Sequence, residues 1–202
     1  MERYRRIGIF GGTFDPPHVG HLILAEECRT QLVLDLVLWV VTDNPPHKRD
    51  VHINPIEDRV KLVEKAIQGN EAFQTSRVDI DRPGPHYAID TVKLLRNQYA
   101  AAEMYYLMGG DSLHDLPAWN RPQDFIKVCD GIGVMRRHAD QVDLESLEKV
   151  LPGITQKVCI VEAPILEISS KQIRQRIMEG MGYRYYLRDA VYQAIAEMGL
   201  YR

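Results

Sequence analysis

Short, mostly apolar runs alternate along this chain with stretches in which apolar residues recur every three or four positions. The first kind predicts strands at "RIGIF" (6–10), "LVLWVVT" (36–42), "FQTSRVDI" (73–80), "MYYLMGGD" (104–111), "GIGVMRR" (131–137) and "KVCIVEA" (157–163). The second kind predicts a helix over 18–32, with Leu22, Ala25 and Cys28 on one stripe. A second helix runs over 55–67, opened by Pro55, and a third over 86–99 with Ile89, Val92, Leu95 and Tyr99 facing inward. Shorter helices are expected at 122–129 and 143–151, and the tail from 168 to 202 reads as helical. Strands that are apolar throughout are covered on both faces, and their alternation with helices predicts an α/β fold built on a doubly wound parallel sheet. The expected organisation is a single domain over 1–202, with 168–202 as a small helical subdomain.

In such sheets ligands bind beyond the carboxyl ends of the strands. The segments there are 11–21, 42–48, 109–112 and 136–137, and all four are polar or glycine-rich. Neither GxGxxG nor GxxxxGK[ST] occurs, so the two commonest phosphate-loop fingerprints are excluded. The net charge of −3 provides no global basic field, which argues against nucleic acid or an anionic membrane as partner. Three widely spaced cysteines form no CxxC pair, and no apolar stretch is long enough to span a bilayer. A reduced, cytoplasmic setting is therefore expected, with homo-oligomerisation left open.

"GIFGGTFDPPHVGHL" (8–22) carries the densest chemistry. Gly11 and Gly12 directly follow the first strand, where a ligand can approach the backbone closely. The next helix aims its N-terminus, with free N–H groups and a positive dipole end, at the same place. His18 and His21 lie three apart there and share a face. Taken alone, such a pair is better explained by packing, and zinc ligation is a further alternative, although no cysteine or carboxylate is suitably spaced nearby. At the far end of the chain, Ser169 and Gln172 form a capping-box pattern, and Ser170 and Arg174 are i,i+4 neighbours able to meet one anion. Alone, that segment reads as an ordinary helix start with a solvated arginine.

The ordered set "GGTFDPPHVGHL", "NPPHK" (44–48), "GGDSLHDLPAW" (109–119), "VMRR" (134–137) and "ISSKQIRQRI" (168–177) resembles the nicotinate mononucleotide adenylyltransferase family of the HxGH nucleotidyltransferase superfamily. The resemblance runs to the closing "GLYR" and implies a Rossmann-like sheet and adenylyl transfer from ATP to nicotinate mononucleotide in NAD biosynthesis. It implies that Gly11, Gly12, Thr13, Phe14, His18, His21, Ile168, Ser169, Ser170 and Arg174 surround ATP. His18, His21, Lys48 and Arg174 would act on the phosphates, with Mg²⁺ arriving on the nucleotide and no metal site made by the protein. Around the mononucleotide it places Gly12, Asn44, Lys48, Tyr87, Ala88, Gly109, Asp111, Trp119, Asn120 and Arg136. Trp119 would stack on the pyridine ring, Asp111 would accept from ribose hydroxyls, and Arg136 would meet the mononucleotide phosphate. As isolated residues, Lys48 and Arg136 are solvated charges, Trp119 a core residue and Asp111 a helix cap.

Three positions depart from the family pattern. Ala88 stands where a Thr hydroxyl commonly helps hold the nicotinate carboxylate, which leaves backbone N–H groups to do so. Lys171 replaces a frequent Thr, and Arg188 a frequent Pro. Phosphopantetheine adenylyltransferases and cytidylyltransferases share the HxGH motif and are the nearest alternative activities. A nucleotide-binding regulator without catalysis is the alternative outside enzymes.

Overall fold

The computed structural model of the chain describes residues 4–42, 53–135, 143–164 and 166–202. Among them, six strands form one sheet: β1 (Arg6–Gly12), β2 (Leu36–Val41), β3 (Phe73–Ser76), β4 (Glu103–Gly109), β5 (Gly131–Met135) and β6 (Val158–Val161). Their order is β3-β2-β1-β4-β5-β6, and every pair is parallel. This is the doubly wound arrangement expected, with the order of strands reversing between β1 and β4. The loops leaving β1 and β4 therefore diverge over a crevice.

β2 shows why the strands read as unbroken apolar runs. All six of its residues are buried, with Val37, Trp39 and Val41 in the core on one face and Leu36, Leu38 and Val40 in the core on the other. The first core also takes Ala25 and Cys28 of α1 (Val19–Gln31), Val60, Leu62, Val63, Ala66 and Ile67 of α2 (Ile56–Ile67), and residues of the C-terminal helices. The second takes Ile89, Val92 and Leu95 of α3 (Ala88–Gln98), the inner face foreseen from spacing. Next come α4 (Gly110–Asp115), a 3-10 turn (Leu116–Ala118), α5 (Pro122–Val128) and α6 (Leu144–Val150). The chain ends with α7 (Ser170–Met178) and α8 (Asp189–Met198), the latter packed on α2.

Two expectations are corrected. The strand foreseen over 73–80 stops at Ser76, where the chain turns, the Ile80 and Asp81 N–H groups donating to the Arg77 carbonyl (2.8 and 3.0 Å) around the buried Asp79. One of its oxygens accepts from Arg82 (2.8 Å) and from the Thr91 hydroxyl (2.7 Å), and Arg82 also donates to the Pro85 carbonyl (3.2 Å). The strand foreseen over 104–111 ends at Gly109, and the unforeseen α4 begins at the next residue. Residues 136–137 of the expected fifth strand lie outside the described residues.

Candidate active site

β1 delivers the chain into a tight loop at the centre of the carboxyl edge. Phe14 takes a left-handed conformation (φ 49°), which folds its ring back onto Phe10 and Trp39 in T-shaped and tilted contacts about 5 Å between centroids. The loop ends at His18, which caps α1 and is itself buried. Its backbone N–H donates to Nδ1 of His21 (3.2 Å). In the neutral ring that bond leaves the proton on Nε2, a donor for whatever approaches. The two imidazoles stack with centroids 3.7 Å apart and planes 24° apart. Gly20 makes the stack possible, since a Cβ there would lie 3.1 Å from the His18 ring. The pair thus packs and also stands at a helix N-terminus; the two readings of the motif coexist.

α7 faces this loop. Ser169 caps it, accepting from the Gln172 N–H (3.2 Å), which realises the expected pattern in its serine half. Ser170 Oγ donates to the Pro16 carbonyl (2.8 Å), and Arg174 Nη1 to the Asp15 carbonyl (2.6 Å). Two helix N-termini therefore line one cleft of about 650 Å³, with Thr13, Phe14, His18, His21, Ile168 and Arg174 among its walls. Of the residues expected around ATP, all but Gly11 line it, and Lys171 does too. Gly11 lies beneath, where a Cβ would meet the Tyr106 hydroxyl at 2.8 Å.

Of the described residues expected around the mononucleotide, Tyr87, Ala88, Gly109, Asp111, Trp119 and Asn120 do not line that cleft. Gly109 ends β4, Asp111, Trp119 and Asn120 follow it in the chain, and Tyr87 and Ala88 stand at the head of α3. Gly109 caps α4, so Asp111 occupies the helix's first turn and is not its cap. Trp119 is half-buried, its ring 6.0 Å from Tyr106 and 5.4 Å from Phe125. Tyr106 thereby links the glycine floor to the tryptophan. Tyr87 caps α3, and Ala88 is its first residue, so the position lacking a hydroxyl has free helix N–H groups. Asn120 is exposed and accepts from Arg121 (3.0 Å), which also pairs with Asp90 (2.7 Å). Asn44, Lys48 and Arg136 lie outside the described residues.

Beneath the histidine loop is a buried polar cluster that periodicity missed. Arg59, with 1% of its surface exposed, donates to the carbonyls of Thr13 (2.8 Å), Thr42 (2.8 Å) and Asn54 (2.9 Å). Asp15 is equally enclosed and accepts from the Asn54 side chain (2.9 Å), the Asn54 N–H (3.2 Å) and the Tyr201 hydroxyl (2.6 Å). Each buried charge is met by several hydrogen bonds, the condition under which such groups are tolerated. Among the described residues no group of three or more His, Cys, Asp or Glu could hold a metal ion, and no helix is long and apolar enough to cross a membrane.

A cytidylyltransferase-like family model matches residues 9–176. A probable nicotinate-nucleotide adenylyltransferase of Thermomicrobium roseum is 44% identical over 197 residues, covering 98% of this chain and 92% of its own. Another, from Saccharopolyspora erythraea, is 42% identical over all of this chain and 92% of its own. Among solved structures, Plasmodium falciparum nicotinic acid mononucleotide adenylyltransferase complexed with NaAD superposes with a TM-score of 0.80. At 17% identity over 98% of this chain and 97% of that one, it attests the fold. Similarity of this extent, spanning both the histidine loop and α7, establishes that the chain belongs to the nicotinate-nucleotide adenylyltransferases, within the cytidylyltransferase-like family.

Proposed function

We propose that the chain joins ATP and nicotinate mononucleotide to give nicotinate adenine dinucleotide and pyrophosphate, as one catalytic unit over 1–202 in a cytoplasmic setting. The observation that carries this reading is the cleft in which the histidine pair at the head of α1 opposes Ser170 and Arg174 at the head of α7. Adenylyl transfer needs no protein nucleophile, because the attacking group is the mononucleotide phosphate. Its second pKa is about 6, so it is largely dianionic at neutral pH. The barrier is the approach of two anions and the charge that grows on the α-phosphate and leaving pyrophosphate. Fixed donors at those oxygens lower it.

In this reading the Nε2–H of His21 and the His18 ring serve the α-phosphate region. The N–H groups heading α7, that of Ser170 among them, hold the β- and γ-phosphates with Arg174, while the Ser170 hydroxyl ties the helix to Pro16. Arg174 donates through Nη1 to Asp15, which fixes its plane and leaves the rest of the guanidinium for phosphate. Lys48 and Arg136 add charge at the leaving group and the mononucleotide phosphate. Trp119 backs the pyridine ring, and the N–H groups of α3 at Tyr87 and Ala88, with Asn120, receive its carboxylate. Asp111 and Gly109 border the ribose. The Asp15 carboxylate is committed to Asn54 and Tyr201, so Mg²⁺ fits as a companion of the triphosphate, supplying neutralisation there.

The test is pyrophosphate release from ATP with nicotinate mononucleotide, nicotinamide mononucleotide or 4'-phosphopantetheine offered separately. Release with nicotinate mononucleotide is the expected result. Release with neither pyridine mononucleotide overturns the reading.

A further inference from the structure

We propose that Tyr201 is a positioning residue for adenylyl transfer: its hydroxyl holds Asp15, and through Asp15 the loop that aligns Arg174 and the histidine pair. The inference rests on the function just proposed. Residue 201 is 186 positions from residue 15, yet the Tyr201 hydroxyl donates to an Asp15 Oδ1 only 2.6 Å away. No local structure requires that contact, so the C-terminal segment returns specifically to the loop after β1. The phenol stays protonated and can only strengthen this bond as donor, because burial and the facing carboxylate push its pKa well above the usual tyrosine range.

What Asp15 transmits follows from its other bonds. Its side chain also ties Asn54, the residue whose carbonyl receives Arg59. Its own carbonyl accepts Arg174 Nη1 at 2.6 Å, and the next residue's carbonyl accepts Ser170 Oγ at 2.8 Å. A shift of Asp15 therefore moves, as one piece, the peptide that orients the arginine and the serine. His18 lies three residues further along the same loop. Tyr201 touches no substrate in this arrangement; it acts through the aspartate. Small misplacements of groups that matter chiefly in the transition state reduce turnover more than binding.

The experiment compares wild-type protein, Tyr201→Phe, Asp15→Ala and the double variant in the pyrophosphate assay, at a temperature where circular dichroism shows each folded. Y201F should lower kcat about tenfold while KM for ATP and for nicotinate mononucleotide stays within about twofold. The double variant should be no slower than D15A, because both changes break the same link. Unchanged kcat in Y201F, even with a lowered Tm, overturns the proposal by showing the contact to be merely structural. Effects that multiply in the double variant also overturn it. Should Y201F not fold, D15A alone decides: kcat must fall with KM preserved, and wild-type kcat refutes the inference. Absent release by the wild-type protein would instead defeat the functional reading beneath it, a different result from an active wild type with an equally active Y201F.

Discussion

Gly20 shows how little tolerance surrounds the histidines. A methyl group there would sit 3.1 Å from the His18 ring, which is stacked on His21 and cannot retreat without breaking that stack. Gly20→Ala should leave the protein folded but lower kcat about tenfold, as read by pyrophosphate release. His21→Ala removes a fixed donor outright and should cost roughly two to three orders of magnitude in turnover. A near-wild-type rate would remove His21 from the mechanism. The histidine pair was legible through the whole string "GGTFDPPHVGH" and its family resemblance, since "HVGH" alone reads as packing. Arg59, Asp15 and Tyr201 were not. An arginine in an amphipathic helix normally faces water, and nothing in its spacing reveals that three backbone carbonyls converge on it from separate loops. Tyr201 is visible only once the last segment is folded onto the first.

At the level of elements, the helices with a clean apolar stripe were found where spacing put them, and so were α6 and α7, each opened by a capping side chain, while α4 was not. α4 has only six residues after Gly109, too few for a period to register. β3 ends in a turn closed on the Arg77 carbonyl and in the hydrogen bonds of the buried Asp79, features that β propensity does not encode. Arg188, which departs from the family's frequent proline, has a use in this chain. Its Nη1 donates to the carbonyls of Ala66 (2.8 Å) and Gln68 (2.7 Å), closing the C-terminus of α2 from the head of α8. The cation also opposes the negative end of that helix. Arg188→Ala should destabilise the protein by about 1 kcal/mol in denaturant unfolding and leave KM for both substrates unchanged. Arg188→Pro would also abolish both bonds, so in this background it should not restore stability.

The sheet as a whole was the most legible feature, because the interior strands β1, β2, β4 and β5 carry the apolar runs typical of parallel sheets covered on both faces, alternating with helices. The same burial predicts a loss of stability in alkali. Cys28 and Cys129 lie wholly inside the two cores, and desolvation pushes each thiol up to about 12. The folded state therefore keeps these protons where the unfolded chain, with thiols near the ordinary value of about 8.5, releases them. Stability is fully present below that value and is lost as pH rises towards 12. Between pH 8 and 9.5 the pair should remove about 2 to 3 kcal/mol, measured by urea unfolding, and Cys28→Ala with Cys129→Ala should flatten that slope. An equally steep loss in the double variant would assign the alkaline limit to other groups.

The opposition of α1 and α7 across the cleft has a temporal meaning as well. A ribosome emits the histidine loop early and its counterpart, Ser169 to Tyr201, about 150 residues later. At the roughly 5 to 20 residues per second of synthesis, the nascent protein spends many seconds with half of the proposed triphosphate site. On the proposed function, cleavage before Ser169 should abolish pyrophosphate release. Nucleotide bound there would stabilise the association of these two distant segments.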